Sequence, residues 1–352
     1  IHCRSVKHPI LKYLSFGVKM HIKSPSEIHD LVTNILMAVG TNKPNASCVA
    51  DGLVSSHLAG VDPHGIWHLD GYVRDVKKGF IDANATPEIL NESASSALVT
   101  GNWTFGFITA KYAMELGIKK AQDTGLSVVG IVRTTHIGRL GEYVEMAAEK
   151  DMISMIWAGG YSEDQQTTFP HGGAKPVLHT NPLAMGFPAG KEVPMIIDFA
   201  TTTMSGSKVD LHRNRGEQVP PNSIVDKNAM PTTNPEDFFN GGGHLPFGGH
   251  KGYAIMIAVE TLGRIFTGAD SYAEAHRGGI YNRHQGISIM VLKADLFQPL
   301  DGFKSTIDEL EQRMRAIPPA PNFSEVIVPG DIESRTRKKR ASAIDIPDDV
   351  WE

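Results

Sequence analysis

The chain has 352 residues with a formal net charge of −5, and 41% of them are hydrophobic. This predicts a soluble globular protein with a sizeable core and two or three domains or layers, and nothing in the charge suggests nucleic acid as a partner. Two cysteines, Cys3 and Cys48, cannot form a disulfide framework or a cysteine metal cluster. No apolar run approaches the roughly 20 residues that cross a bilayer. We therefore expect a cytoplasmic protein without membrane contact.

The first nineteen residues are basic and contain no acid, since the first acidic residue is Glu27. Acid-poor, basic segments are typical of organellar transit sequences, but residues 1–19 lack the Arg- and Ser-rich amphipathic pattern of one. We favour a disordered extension over residues 1–19, with the folded chain starting near Met20. Organellar transit stays open as the alternative.

Residues 20–90 predict a helical N-terminal region. Ser24 or Ser26 caps the first helix, with Glu27 in its first turn, and a second helix follows directly. A third helix, with apolar residues on one face, runs from about Gly65 to Lys78. This region therefore supplies a helical layer ahead of any sheet.

The turn before the third helix carries a candidate for acid–base chemistry. His64 is at a helix N-terminus, whose positive field lowers the pKa of an imidazole, whereas Asp62 raises it. This balance predicts a pKa near neutrality, which suits a general acid or base. A helix-capping histidine is the alternative. His57, His64 and His68 would suit a metal-dependent hydrolase, but no H-E-x-x-H motif accompanies them, and we expect no bound metal.

From about Ile89 the pattern alternates between strands and helices. His136 follows the buried strand Leu126–Val132, and ligands of open α/β sheets gather at the carboxyl ends of strands. The alternative for His136 is a turn histidine bonded to backbone. Asp198 ends a further strand, where it either bonds a ribose hydroxyl or caps the following helix.

A glycine-rich loop, Gly241–Tyr253, has six glycines among thirteen residues. Its backbone N–H groups, together with His250 and Lys251, predict a site for an anion such as phosphate. A hinge is the alternative, because the segment Tyr253–Phe266 that follows has the spacing of a buried helix. Residues 211–240 predict an exposed, loop-rich excursion, and the basic run 335–340 predicts a solvated helix face.

Taken in order, the motifs of this chain resemble the malate/L-lactate dehydrogenase family, in the type that lacks a Rossmann domain. The resemblance extends from about Met20 to Trp351. It is carried by Asp62-x-His64-Gly65, Tyr72, Gly79, His136-x-Gly138, Thr180-Asn181-Pro182, Asp198-x-Ala200-Thr201, Pro231-Thr232-Thr233, Gly249-x-Lys251-Gly252 and Pro329-Gly330-Asp331. Each motif is short, and their ordered series is specific.

The resemblance implies a mixed α/β fold in which residues 91–297 form a non-Rossmann, dinucleotide-binding mixed sheet. The N-terminal region, 20–90, is then expected to pack with the C-terminal region, 298–352. The implied activity is hydride transfer between NAD or NADP and C2 of a small 2-hydroxy or 2-keto acid, in a homodimer. Cyclic imino acids are the alternative substrates within the family.

The resemblance also implies roles for particular residues. His64 and His136 match the acid–base histidines of the family. The implied cofactor contacts are Gly160, Thr180, Asp198, Phe199, Ala200, His250, Lys251, Gly330, Asp331 and Ile332.

One departure from the family pattern concerns the substrate. Members commonly have an arginine four residues after the first histidine, suited to a bidentate bond with a carboxylate. His68 stands there instead, with one donor and no permanent charge. We place His68, Tyr72 and Arg139 around the substrate, with Arg74 and Arg213 as alternative carboxylate partners. Otherwise the substrate differs or activity is weak, and a non-catalytic dinucleotide-binding protein is the remaining alternative.

Overall fold

The computed structural model describes residues 20–160 and 166–351, so the expectation for residues 1–19 lies outside it. In chain order its strands are β1 (Met20–Lys23), β2 (Glu88–Glu92), β3 (Ser96–Thr100), β4 (Leu126–Val132), β5 (Met152–Gly159), β6 (Leu183–Phe187), β7 (Met195–Phe199), β8 (Ile224–Val225), β9 (Pro231–Thr232), β10 (Gly243–His244), β11 (Gly286–Lys293) and β12 (Ile344–Pro347). Its helices are α1 (Pro25–Ala38), α2 (Lys43–Leu58), α3 (Leu69–Lys77), α4 (Gly106–Thr124), α5 (Leu140–Ala148), α6 (Gly206–Asn214), α7 (Pro235–Phe239), α8 (His250–Glu260), α9 (Gly279–Asn282), α10 (Leu300–Arg315), α11 (Asp331–Arg340) and α12 (Asp348–Trp351).

The largest sheet has seven strands in the order β2-β3-β4-β11-β5-β6-β7. Strands β3 and β4 are parallel, and the other neighbours are antiparallel. Strand β11 comes from late in the chain and inserts between β4 and β5. The predicted mixed α/β fold is confirmed, and it differs from a doubly wound sheet, in which the strands are mostly parallel.

Alternate residues of the sheet face two different helical layers, as the pleat requires. On one face Ile156 and Ile289 join a core that α4 and α5 cover. On the other, Trp157 and Leu183 pack against Val259 of α8. The sheet is therefore covered on both sides, which explains the nearly continuous apolar runs of its central strands.

The first two predicted helices are confirmed as α1 and α2. A capping box starts α1: the Ser24 hydroxyl accepts from the Glu27 N–H, and the Glu27 carboxylate accepts from the Ser24 N–H. The third helix is shorter than predicted. Two 3-10 turns, Asp62–His64 and Ile66–His68, precede α3 because Gly65 between them adopts an extended backbone conformation.

The excursion is more ordered than the sequence predicted. Helices α6 and α7 and the small sheet β10-β8-β9 enclose a core of their own. A strand of two residues is too short to show alternating apolar and polar residues, so the sequence of this segment predicts loops. Arg213 lies 3.9 Å from the centre of the Phe239 ring and forms an ion pair with Asp210.

Helix α8 continues through a π-helical turn, Thr261–Ile265, and is only half covered. Met256 and Val259 are fully buried, whereas Ile265 and Phe266 are 58% and 61% exposed. The expectation of a buried helix is therefore wrong for its outer face within the described chain. No helix in the described ranges is long and apolar enough to cross a membrane.

The two ends of the described chain meet. Strands β1 and β12 pair in antiparallel fashion, with Met20 opposite Pro347. Trp351 stacks on His21, and the terminal helix packs against the core of α1 and α2. The basic run is only partly a solvated face, because Arg340 is 6% exposed and bonds the carboxylate of Asp62.

Candidate active site

Three histidines from distant parts of the chain converge at one point. The ring centres of His64 and His136 are 5.5 Å apart and nearly parallel, and the ring of His68 is 4.6 Å from that of His136. His64 and His68 lie on the two successive 3-10 turns, and His136 lies in the loop after β4. The structure thus brings together the two predicted acid–base residues and the predicted substrate residue His68.

The turn that carries His64 is held by an ionic network that joins the half-exposed Asp62 to buried His57 and Arg340. Asp62 accepts from both NH groups of Arg340, at 2.6 and 3.1 Å, and lies 2.9 Å from His57 Nδ1. The Ile66 N–H donates to His57 Nε2 at 3.0 Å. Asp62 therefore supports the turn, and the expectation that it raises the pKa of His64 is wrong. Both ring nitrogens of His57 are occupied, so it does not join the cluster.

The loop that carries His136 is fixed by close backbone packing. A Cβ atom on Gly106 would lie 2.4 Å from the His136 carbonyl oxygen, so only glycine fits. The Gly106 N–H donates to the Thr135 hydroxyl, which itself donates to the Thr104 carbonyl. Two strand-to-helix connections are thereby locked together, which fixes the backbone at His136.

Tyr72 completes the cluster from α3. Its hydroxyl oxygen is 2.7 Å from Nδ1 of His136, and its ring makes edge contacts with Phe105 and Phe107. Burial raises the pKa of the Tyr72 hydroxyl above its usual value. Tyr72 is thus a neutral hydrogen-bonding group, and its ring stacks beside that of His68 with 5.9 Å between the ring centres.

Burial dominates the protonation of the three imidazoles. It lowers the pKa of His64 to about 4, with further lowering from His68 and Arg139. Burial also lowers the pKa of His136 well below its ordinary value and lowers that of His68, where a hydrogen bond to the Pro63 carbonyl opposes the effect. All three rings are therefore neutral near pH 7, and the near-neutral pKa expected of His64 is wrong.

The candidate carboxylate partners already have protein partners. Arg139 is 2% exposed and donates to Glu145 at 2.8 Å. Arg74 lies 3.4 Å from Asp70 on an exposed helix face. Arg139 is the one whose charge reaches His64 and lowers its pKa.

The start of β6 and the end of β7 lie side by side, because Leu183 pairs with Phe199, and they position several predicted cofactor residues. Asp198 accepts a 2.7 Å bond from the Gly141 N–H and so caps the start of α5, not the helix that follows it in sequence. The Thr180 carbonyl accepts from the N–H and the hydroxyl of Thr201. Phe199, before Ala200, is 37% exposed. The strand ends therefore present both a polar and an apolar surface.

The glycine-rich loop is bonded to the same strand end. The Phe247 N–H donates to the Thr201 carbonyl, and the Thr203 N–H donates to the Leu245 carbonyl. His250 and Lys251 are exposed in the first turn of α8. The loop thus presents a cation and unpaired helix N–H groups next to β7, as an anion site requires.

Glu260 is a residue that the sequence interpretation missed. It is 5% exposed, accepts from Asn181 Nδ2 at 2.9 Å and from the Gly160 N–H at 3.2 Å, and pairs with Arg264. The available signal was a Glu and an Arg four residues apart inside an otherwise apolar helix. Glu260 ties α8 to the strand end that carries Gly160.

Buried polar atoms without partners surround Gly160. Among the described residues, His179 Nε2, Asn181 Oδ1 and Gln285 Oε1 are buried and make no hydrogen bond. His179 and Gln285 both lie next to Gly160, within 3.9 Å of where its Cβ would be. Unpaired buried polar groups are costly, so these atoms fit a polar ligand such as the carboxamide of a nicotinamide.

The last predicted cofactor residues lie at the start of α11. Gly330 has a φ of 98°, and its Cβ would be 3.2 Å from the Pro194 carbonyl beside β7. Asp331 is 6% exposed and bonds Arg315 at 2.8 Å, so its carboxylate is satisfied within the protein. Ile332 is 53% exposed.

Comparison with known proteins gives a consistent result. The profile described as malate/L-lactate dehydrogenase matches residues 24–352. The chain is 33% identical to the L-sulfolactate dehydrogenase of Methanothermobacter thermautotrophicus, covering 94% of each chain. It is 34% identical to the malate/(S)-sulfolactate dehydrogenase of Methanothermus fervidus, covering 91% of each.

A solved structure has the same fold across its length. The malate dehydrogenase of Entamoeba histolytica superposes with a TM-score of 0.88 at 25% identity, covering 95% of this chain and 96% of that one. Such extensive matching, over both sequence and fold, shows that the chain belongs to the malate/L-lactate dehydrogenase family and is a dehydrogenase of hydroxy acids that uses a nicotinamide cofactor.

Proposed function

We propose that this enzyme interconverts a small 2-hydroxy acid and its 2-keto acid with NAD or NADP at the histidine cluster. The observation that carries the proposal is the stacking of His64 on His136, with Tyr72 bonded to His136. Two neutral imidazoles beside one another supply a proton acceptor and a hydrogen-bond donor for one substrate oxygen.

His64 is the proposed acid–base residue. In oxidation, the C2–H bond breaks with its electron pair, and the C2 hydroxyl proton passes to His64, whose Nδ1 is buried without a partner among the described residues. A nicotinamide held beside Gly160 would supply the hydride acceptor in oxidation and the hydride donor in the reverse reaction. His136, oriented by Tyr72, donates to the same oxygen.

The substrate itself would activate His64. An anion beside an imidazole favours its charged form and raises its pKa. A bound carboxylate would therefore raise the pKa of His64 from about 4 towards 7. His68 and Tyr72 contact the acid, and Arg139 contributes its charge from behind the cluster.

The cofactor side extends from the histidines along the strand ends. His179, Asn181 and Gln285 provide unpaired atoms for a carboxamide beside Gly160. Asp198, Phe199, Ala200 and Thr180 line the strand end, His250 and Lys251 bind phosphate, and Gly330, Asp331 and Ile332 complete the site from α11.

The enzyme is proposed to act as a cytoplasmic homodimer. Exposed apolar side chains on α8 and on the helical turns that continue it include Ile255, Ile257, Ile265 and Phe266. Several exposed apolar side chains on one helix are typical of a protein interface. A second copy of the chain would cover it.

The test is oxidation of NADH and of NADPH with a panel of 2-keto acids and cyclic imino acids. We expect turnover with a 2-keto acid. His64→Asn should lower kcat by about 10²- to 10⁴-fold, the usual contribution of general acid–base catalysis. His276→Asn, on an exposed histidine elsewhere, is the control. Full kcat in His64→Asn, with loss in His136→Asn, would reverse the two roles.

A further inference from the structure

The histidine cluster has a second chemical property. One ring nitrogen from each of His64, His68 and His136 lies within 4.8 Å of the other two, and the group consists of imidazoles alone. Zinc holds imidazole nitrogens at about 2.0–2.1 Å in tetrahedral sites, which places them roughly 3.3 Å apart. Small rotations of the rings would close the remaining gap.

The surroundings of the rings also suit metal ligands. A metal-bound imidazole usually donates its other N–H to an oxygen, which fixes the nitrogen that carries the lone pair. The Tyr72 hydroxyl occupies Nδ1 of His136, and the Pro63 carbonyl bonds His68. His64 keeps a buried Nδ1 without a partner among the described residues.

Charge and ligand type narrow the choice of ion. Imidazole ligands suit zinc, copper, nickel and cobalt, whereas magnesium and calcium prefer oxygen. The nearby cation is Arg139, and its pairing with Glu145 offsets the repulsion that it would exert on a dication. With three protein ligands, a tetrahedral ion keeps one open position.

We propose that His64, His68 and His136 bind one divalent transition-metal ion such as Zn²⁺, and that the bound ion inhibits the enzyme. The ion would occupy ring lone pairs that proton transfer requires. The inhibition rests on the proposed function, whereas the binding does not. His68 is the residue that converts a pair of acid–base histidines into a three-ligand set.

Binding is tested by titrating Co²⁺ into the chelator-treated protein and recording its visible absorption, with Zn²⁺ as competitor. We expect one tetrahedral Co²⁺ per chain. His68→Gln should weaken binding by at least about 100-fold, and Tyr72→Phe by about 10- to 100-fold, as for outer-shell partners. His276→Asn, on an exposed histidine with a φ of 62° that asparagine tolerates, should bind as wild type.

Absence of the Co²⁺ spectrum in the wild-type protein, or equal affinity in His68→Gln, would overturn the metal site. Inhibition is tested separately: Zn²⁺ should stop turnover, EDTA should restore it, and Mg²⁺ should have no effect. Unchanged turnover at Zn²⁺ concentrations that displace Co²⁺ would refute inhibition alone. If no substrate is turned over, the titration still decides the metal site.

Discussion

Tyr72 influences the proposed chemistry through a single hydrogen bond. In Tyr72→Phe the ring keeps its packing with Phe105 and Phe107, while Nδ1 of His136 loses its partner. A neutral hydrogen bond contributes about 0.5–1.5 kcal/mol, so we expect kcat to fall roughly 2- to 12-fold and the melting temperature to fall by no more than about a few degrees. Steady-state kinetics and thermal unfolding measure this. An unchanged kcat would mean that the hydroxyl does not position His136.

Asp308 shows how one carboxylate can hold a loop. It accepts backbone N–H bonds from Gly190, Lys191 and Glu192, at 2.9, 2.7 and 3.3 Å. Burial raises the pKa of Asp308, but these three N–H groups outweigh it, so the pKa lies below its ordinary value. A depressed carboxyl pKa stabilises the fold above the unfolded value of about 3.9, and the effect is lost as pH falls through the folded value.

Asp308→Asn should therefore lower the free energy of unfolding by about 1–2 kcal/mol at neutral pH, because the amide replaces a charged acceptor. The difference from wild type should shrink below about pH 4, where the carboxyl of the unfolded chain takes up a proton, and should be lost once the pH falls below the lowered pKa of the native carboxyl. Denaturant unfolding at both pH values measures it. A difference that does not depend on pH would show that lost packing, not charge, causes the effect.

At the scale of elements, α8 is fastened to the sheet by Glu260. In Glu260→Gln one carboxylate oxygen becomes an NH₂ group, which cannot accept from Gly160 or Asn181. Arg264 loses its ion pair with Glu260 and keeps the one with Asp270. We expect a loss of about 1–3 kcal/mol of stability and weaker binding of the reduced cofactor, because Gly160 and Asn181 lie at the proposed carboxamide site. Chemical denaturation and fluorescence titration test the two effects. Wild-type cofactor affinity in a destabilised variant would separate α8 from that site.

The elements that sequence predicts well are those that local chemistry decides. The capping box at Ser24 and the apolar run Leu126–Val132 are readable without a partner. Position in the sheet is not readable, because β11 pairs with strands from much earlier in the chain. The start of α3 is not readable from the sequence either. The helix is interrupted at Gly65, where His57 packs so closely that a Cβ atom would lie 2.3 Å from its Nε2.

In the candidate site, too, local features are readable from the sequence and contacts between distant segments are not. His64 and His136 are singled out by their places at a helix start and a strand end as well as by motifs that resemble a family, whereas the near-neutral pKa predicted for His64 is wrong. Asp62 was expected to act on His64, but its partner Arg340 comes from the last long helix. Glu260 was overlooked because its partners lie in other segments. The partners of Asp62 and Glu260 therefore come from segments far away in the sequence, and sequence spacing does not reveal them.

For the whole molecule, the exposed half of α8 predicts a dimer. Ile265→Glu should place a charge in the proposed interface and yield monomers, since burying an unpaired charge is costly. Ile22→Glu, on an apolar residue that is 68% exposed on β1, is the matched control and should leave the assembly unchanged. Light scattering coupled to size-exclusion chromatography measures the mass. A monomeric wild type, or a dimeric Ile265→Glu, would contradict this interface.

The pairing of β1 with β12 has a mechanical consequence. Because Met20 lies opposite Pro347, a force that pulls the two ends apart loads the outermost pair first and opens the ladder one bond at a time. Such unzipping needs less force than sliding the strands past each other, which would load every bond together. Under tension the terminal strands and helices should therefore peel away first, while the seven-stranded sheet, reached only afterwards, remains folded.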